Sequence, residues 1–225
     1  MLLTQLSIAL HNNWCDREVD AVAKPWRWIP RGVLDARVAL AAATVLFVAG
    51  VSLASLLGAL VAQLVAGGTA CGLLYNAWLK RTIWSWAPFA VALPTLALCS
   101  LAVAQRLDGF PYALYLIGAP LVLAIHLGDS VPDIERDRKA GVHGLAVALG
   151  HGPALLACWL GVLVAVVLAS LLRPFAIPPG PLVALALVLL AAAVLVSLRS
   201  LRAHWYLIVA SAIAVAVDWV AALAS

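Results

Sequence analysis

Long apolar runs occupy most of the 225-residue chain, and short polar segments separate them. A membrane-spanning helix needs about 20 apolar residues, each of which advances the helix by about 1.5 Å. Before the first long run, residues 1–20 form a helix with an apolar first half and a polar second half. The sequence therefore predicts one integral-membrane domain over 1–225, an all-α bundle of about eight helices. Its seven full spans are 33–50, 51–78, 83–104, 111–127, 153–172, 182–198 and 205–223.

The composition excludes an ordinary soluble protein, a disordered chain and a nucleic-acid-binding protein. Hydrophobic residues make up 65% of the chain and charged residues 11%, whereas globular domains are about 45 to 50% apolar and about 25% charged. The net charge is +4, but the 14 basic residues are scattered between apolar runs and form no continuous basic face. Four single cysteines without a Cys-x-x-Cys pair argue against a disulfide framework or a zinc site.

The basic residues indicate the orientation in the membrane. If the spans alternate in direction, twelve Lys and Arg residues lie on one side, and only Arg106 and Arg173 lie on the other. Because cytoplasmic loops carry the excess of basic residues, the first side is predicted to be the cytoplasmic side of a bacterial inner membrane. The polar segments 11–31 and 128–143 both lie on that side. We expect them to face one another in a polar chamber that opens to the cytoplasm.

Acidic residues are concentrated in these two polar segments. Residues four apart share one face of a helix, so Asp16 pairs with Asp20 and Asp133 pairs with Asp137. Like charges at this spacing repel each other, and desolvation near the membrane adds to the cost unless cations neutralise them. Two such clusters indicate Mg²⁺, which bridges protein carboxylates to substrate phosphates. The seven acidic residues of the two segments are Asp16, Glu18, Asp20, Asp129, Asp133, Glu135 and Asp137.

Solvated loop charges that only set topology are the alternative, and two matching pairs on one side disfavour it. Pro132 interrupts helical hydrogen bonding, which makes Asp129 the least secure of the acidic ligands.

Gly67 and Gly68 could mark a kink in the second span. Asp218 lies inside the last span, either as a functional group or as one that reaches the headgroups. Four histidines are not spaced like the ligands of one metal ion, so we expect them at interfacial or structural positions: His126, His143, His151 and His204.

Three segments resemble motifs of the UbiA superfamily of intramembrane prenyltransferases. Residues 12–20 resemble the first aspartate-rich motif, Asn-Asp-x-x-Asp-x-x-x-Asp, and 24–32 resemble its Lys-Pro-x-Arg continuation. Residues 133–141 resemble the second motif, Asp-Ile-Glu-x-Asp-Arg-Lys-Ala-Gly, and 75–82 resemble Tyr-Ser-x-x-Leu-Lys-Arg. These motifs occur in the family's order and together cover nearly the whole chain. The chain departs from the family pattern at three positions, Asn13, Trp28 and Ser130.

The resemblance implies a central cavity in which two Mg²⁺ ions hold an isoprenyl diphosphate while its tail occupies apolar space. Metals and cations stabilise charge on the leaving diphosphate, and Tyr75 shields the allylic cation. The implied metal ligands are Asn12, Asp16, Asp20, Asp129, Asp133 and Asp137, and four of them, Asp16, Asp20, Asp133 and Asp137, are implied to be catalytic. The residues implied to bind substrate are Asn12, Lys24, Tyr75, Lys80, Arg81, Arg138 and Lys139.

The resemblance favours Mg²⁺-dependent transfer of a prenyl group to a lipophilic acceptor, which is often aromatic in this family. A membrane terpene cyclase that uses the same metals, or a non-catalytic membrane scaffold, are the alternatives. Retention of the four aspartates argues against a scaffold, because a scaffold has no reason to bear their repulsion. Family members usually have nine spans, and this chain starts about one and a half spans later. We expect either an upstream start, which is slightly favoured, or an oligomer that covers the polar helix.

Overall fold

The computed structural model describes residues 1–107, 112–139, 141–173 and 180–224, with side chains described up to residue 222. All regular structure in these ranges is helical, and eight helices have 17 or more residues, as predicted. Two 3-10 turns, Leu79–Arg81 and Val131–Asp133, follow α3 and α5. The α-helices are α1 (Leu2–Ala23), α2 (Ala36–Ser55), α3 (Ala59–Ala77), α4 (Ala87–Val103), α5 (Ala113–Ser130), α6 (Ile134–Lys139), α7 (Leu145–Leu149), α8 (His151–Leu171), α9 (Pro181–Ser197) and α10 (Leu201–Ala224).

Five helical segments in the described residues are long and apolar enough to cross a bilayer: α2, α3, α5 with its continuation to Lys139, α8, and α10. Helices α4 and α9 are apolar but have only 17 residues each. Seven apolar helices therefore correspond to the seven predicted spans. Five of them are long enough to cross the bilayer, and α4 and α9 are shorter than the full spans that were predicted. The start of the predicted span 111–127 lies outside the described residues.

The turn between α2 and α3 does not lie where the sequence predicted it. The predicted boundary follows Gly50, but α2 continues to Ser55. The chain turns instead at Gly58, whose φ of +121° is a conformation that residues with a Cβ rarely adopt. Gly50 has a packing role, because a Cβ there would lie 2.7 Å from the Thr4 side chain of α1. Helix α3 is continuous through Gly67 and Gly68, so neither glycine breaks the second predicted span.

The helices follow one another around an open bundle. Helix α1 packs against α2 and α3, α4 lies between α3 and α5, and α5 packs against α8 and α10. The two largest clusters of buried apolar residues lie among α5 and α8–α10, whereas the cluster between α2 and α3 has only three buried members. The second half of the bundle is therefore the more densely packed one.

Asp218 has a buried partner, so it neither reaches the headgroups nor joins the acidic segments. Its carboxylate forms an ion pair with Arg173, and both side chains are at most 5% exposed. The Gly180 amide donates to the same carboxylate at 3.4 Å, and a Cβ on Gly180 would collide with it. These contacts join the end of α8 and the start of α9 to α10. Loss of one partner from such a pair costs about 3–5 kcal/mol of stability.

Candidate active site

Lys80 connects the polar end of α1 with the end of α3. The 3-10 turn after α3 directs its ammonium group towards α1, where it bonds to the Asp16 carboxylate and donates to Asn12 Oδ1 at 3.4 Å. Arg81 Nη2 lies 3.7 Å from Asp16 Oδ1. The buried Asn76 side chain donates to the Ile8 carbonyl at 2.9 Å and fixes α3 against α1. Two protein cations therefore lie beside Asp16.

Asp20, one turn further along α1, lies in a separate ion-pair cluster. Its buried carboxylate is 3.8 Å from Lys24 Nζ and 3.7 Å from Arg27 Nε. Arg27 also donates to Asn13 Oδ1 at 2.8 Å, so the asparagine that replaces an acid of the family motif holds the loop arginine. The predicted pair Asp16 and Asp20 is thus divided between two sets of protein cations in this structure. Its role as one metal site remains a prediction.

The second acidic segment lines one cavity of about 280 Å³. Helix α5 ends at Ser130 and a 3-10 turn containing Pro132 separates it from α6, so the helix is interrupted where proline predicts. Despite the interruption, all three aspartates of the segment reach the cavity. The polar and aromatic side chains that line it are Tyr75, Lys80, Ser85, Phe89, His126, Asp129, Ser130, Asp133 and Asp137.

The basic residues after Pro132 divide into two groups. Arg136 Nη2 lies 2.9 Å from Asp133 Oδ2, and Arg136 Nε lies 3.8 Å from Asp137 Oδ1. Arg138 donates to the exposed Glu135 at 2.7 Å, and Lys139 is also exposed. Arg136 is therefore the cation nearest the cavity acids, while the predicted substrate contacts of Arg138 and Lys139 stay predictions.

The two acidic segments face one another through Lys80 and Tyr75. Lys80 bonds to Asp16 of the first segment and also lines the cavity of the second. Tyr75 lines the cavity of the second segment and, together with Asn12 of the first, a neighbouring apolar cavity. The shared chamber expected from the alternation of spans is consistent with these contacts.

The oxygen atoms that line the cavity suit a Mg²⁺ ion whose ligands come partly from the protein and partly from a substrate. Within the part of the chain that the structure describes, no three His, Cys, Asp or Glu side chains approach closely enough to hold an ion by themselves. Mg²⁺ retains several waters and is held by one or two carboxylates together with substrate phosphates. Asp129, Asp133 and Asp137 supply such carboxylates around one cavity. The donor set therefore suits Mg²⁺ bound with a diphosphate.

Sequence reasoning missed three residues of the cavity wall: Ser85, Phe89 and His126. His126 Nε2 lies 2.8 Å from Ser85 Oγ, and its ring stacks on Phe89 with centroids 6.3 Å apart. His126 therefore lines the acidic cavity, and its structural role stays a prediction that these two contacts support. Its position one turn before Asp129 could have indicated this. No local pattern marks Phe89, because only the packing of α4 brings it to the cavity.

An apolar cavity of about 480 Å³ adjoins the acidic one. Tyr75 and Phe89 line both cavities, and their rings meet edge to face with centroids 4.7 Å apart. The other lining residues come mainly from α1, α3 and α4, and most of them are apolar. Asn12 is one of the polar exceptions. The site as a whole thus offers a charged compartment and an apolar compartment separated by two aromatic side chains, which suits an amphiphilic ligand with an ionic head.

The fold and the site define an integral membrane protein of the helical-bundle class with an acidic cavity that opens into apolar space. The profile of the UbiA prenyltransferase family matches residues 1–212, and the chain belongs to this family. The apo structure of a UbiA homolog from Aeropyrum pernix K1 has the same fold, with a TM-score of 0.72. That alignment covers 96% of this chain and 84% of the other, at 19% sequence identity.

Two similar sequences are synthases with different names. The digeranylgeranylglyceryl phosphate synthase of Halobacterium salinarum is 35% identical over 146 residues, which cover 64% of this chain and 52% of that protein. The bacteriochlorophyll synthase 33 kDa chain of Cereibacter sphaeroides is 33% identical over 175 residues, which cover 72% and 56% of the two chains. The chain thus spans about half the length of the curated relatives that it matches.

Proposed function

We propose that this protein transfers a prenyl group from an isoprenyl diphosphate to a lipophilic acceptor in the membrane. The observation that carries this proposal is the junction at Tyr75 and Phe89, where the acidic cavity meets the apolar one. A prenyl diphosphate has an ionic head joined directly to an apolar chain, so its allylic carbon lies at such a junction. Membership of a prenyltransferase family, and the synthases among its relatives, support the same activity.

The charged compartment holds the diphosphate head in this proposal. Lys80 and Arg81 exchange part of their interaction with Asp16 for diphosphate oxygens. Asp129, Asp133 and Asp137 would hold Mg²⁺, with Asn12 and Asp16 of the first segment as further oxygen ligands. When bound, two Mg²⁺ ions supply positive charge that stabilises the leaving diphosphate.

The aromatic junction governs the reaction of the allylic carbon. The bond between this carbon and the diphosphate oxygen breaks, and the electron pair leaves with the diphosphate. The ring faces of Tyr75 and Phe89 stabilise the resulting cation and exclude water from it. A nucleophilic atom of the acceptor then forms the new bond to carbon and loses its proton. Fixed charges and rings that stabilise developing charge account for most of the catalysis.

Purified protein incubated with Mg²⁺ and a panel of prenyl diphosphates tests this function. We expect diphosphate release that increases when membrane lipid extract supplies an acceptor, together with a prenylated lipid product. The products distinguish the alternatives: an acceptor-free hydrocarbon would indicate cyclisation. The absence of both diphosphate release and product with every donor and extract would contradict an enzymatic role and favour the scaffold.

We also propose that the acidic chamber opens to the cytoplasm, because twelve of fourteen basic residues lie on its side of the membrane. In a variant without native cysteines, Ala23→Cys and Glu135→Cys are expected to react with a membrane-impermeant maleimide added from the cytoplasmic side. Ala104→Cys, at the opposite end of α4, is expected to react only from the other side. Labelling of Ala23→Cys and Glu135→Cys from opposite sides would contradict a shared chamber.

A further inference from the structure

A second apolar cavity continues the first one away from the charged compartment. It has a volume of about 690 Å³ and lies among α1, α2, α3 and α4, next to the turn between α2 and α3. The two apolar cavities share Met1, Val65, Leu96 and Cys99. The two adjoining cavities, called the apolar path below, together extend from Tyr75 along α3 towards the opposite end of the helix.

The path is long on the scale of the membrane. Tyr75 and Val61, which lines the second cavity, are 14 residues apart on α3, about 21 Å at the rise of an α-helix. The hydrocarbon core of a bilayer is about 30 Å thick, so the path exceeds the depth of one leaflet. A dimethylallyl group would occupy only its first part, whereas a chain of several isoprene units would fill it.

Gly68 lies halfway along this path and lines the first apolar cavity. A Cβ at this position would lie 3.6 Å from Thr95 Cγ2, an ordinary contact, so alanine fits. A larger side chain has to extend into the cavity, because Thr95 is held by hydrogen bonds to the Val91 carbonyl and the Tyr115 hydroxyl, each 2.7 Å long. Gly72 is a less suitable probe, since a Cβ there would lie 2.6 Å from Ile8 of α1.

On the basis of the proposed function, we propose that the donor is a long-chain isoprenyl diphosphate and that Gly68 determines the chain length the site accepts. The head remains in the charged compartment, and the chain passes Gly68 to reach the second cavity. With no side chain at this position, the path stays open. A bulky residue would divide it about 10 Å from Tyr75, seven residues along the helix, and leave space for short chains only.

Gly67 provides a matched control on the same helix. It is exposed, no atom lies within 4 Å of a Cβ built there, and it does not line the first apolar cavity. Leucine at either position changes the intrinsic helix propensity of α3 equally. Gly68→Leu and Gly67→Leu therefore differ chiefly in whether the new side chain enters the path.

The test compares dimethylallyl, geranyl, farnesyl and geranylgeranyl diphosphates as donors. We expect wild type and Gly67→Leu to prefer the longer donors. Gly68→Leu is expected to lose about 10- to 100-fold in kcat/KM with geranylgeranyl diphosphate and to retain most activity with geranyl diphosphate. Gly68→Ala, whose Cβ fits, is expected to keep the wild-type preference, and Gly68→Val, with a smaller side chain than leucine, serves if Gly68→Leu does not fold. A Gly68→Leu or Gly68→Val profile parallel to that of Gly67→Leu would overturn the inference, as would a wild-type preference for dimethylallyl diphosphate.

Binding separates this inference from the proposed function. Uncleavable S-thiolodiphosphate analogues of the same donors are expected to raise the melting temperature of wild type increasingly with chain length, and Gly68→Leu is expected to lose this trend. Suppose that neither wild type nor any variant releases diphosphate, but wild type shows the binding trend and Gly68→Leu loses it. The proposed transfer then fails, while the chain-length role stands. If transfer is observed and the binding trend is the same in all variants, the chain-length role fails alone.

Discussion

Asp133→Asn is expected to lower the rate of diphosphate release by about 10²- to 10³-fold, because it removes one charge from the acidic cavity without changing the shape of the side chain. The cavity joins Asp133 to Asp129 and Asp137, so the variant leaves two carboxylates where three are available. Initial rates measured with saturating donor and increasing Mg²⁺ check this. We expect the Mg²⁺ concentration needed for half-maximal rate to rise together with the loss of turnover.

Glu135→Gln is the matched control for Asp133→Asn. Glu135 lies two residues away on the same segment, is exposed and bonds to Arg138. Its amide variant removes the same unit of charge from the same side of the membrane but from outside the cavity. Equal losses in both variants would indicate that only the overall surface charge matters. Full activity of Asp133→Asn would exclude the acidic cavity as the site of diphosphate release.

Lys80→Met is expected to raise KM for the prenyl diphosphate and to lower kcat, with a combined loss in kcat/KM of about 10²-fold or more. Lys80 bonds to Asp16 of the first acidic segment and lines the cavity of the second, so its removal takes away the cation that lies between them. Methionine keeps much of the apolar stem, and the packing around the side chain is largely retained. Steady-state kinetics with one donor and one acceptor measure both constants.

A double-mutant cycle with Asp16→Asn shows through which partner Lys80 acts. If its main role is to hold Asp16, the double variant loses little more than either single variant. If Lys80 acts on the diphosphate directly, the two losses multiply. Arg37→Gln removes an exposed cation at the start of α2 and is expected to be neutral. A Lys80→Met variant as active as Arg37→Gln would contradict any role of Lys80 in the site.

The apolar runs predicted the helices well but located one boundary poorly. Lipid requires a long apolar helix whatever its neighbours are, so a run of suitable length is sufficient evidence for a span. The region 33–78 contains two spans with no charge between Arg37 and the end of α3, so Gly50 and Gly58 were equally plausible as the turn. The two glycines differ in the structure, because α1 approaches Gly50 closely and Gly58 has a positive φ.

The site was predictable to the extent that its residues are close in sequence. The four-residue spacing of the acids predicted that Asp133 and Asp137 lie together, and both line one cavity. The segment 75–82 predicted Lys80 as a substrate-binding residue; its bond to Asp16 was not predicted. The division of Asp16 and Asp20 between different cations depends on where Arg27 and Lys80 lie in space, which spacing along one helix does not specify. Phe89 was missed for the same reason, because it reaches the site from a separate helix.

The most densely packed part of the bundle and the two apolar cavities lie in different halves of the chain. The large buried clusters lie among α5 and α8–α10, while both apolar cavities lie among α1–α4. Substitutions that reshape the cavities therefore fall where few core contacts are lost. If the apolar path holds the prenyl chain as proposed, such proteins can change the chain that they accept by small steps in the first half, while most of the buried core, in the second half, stays intact.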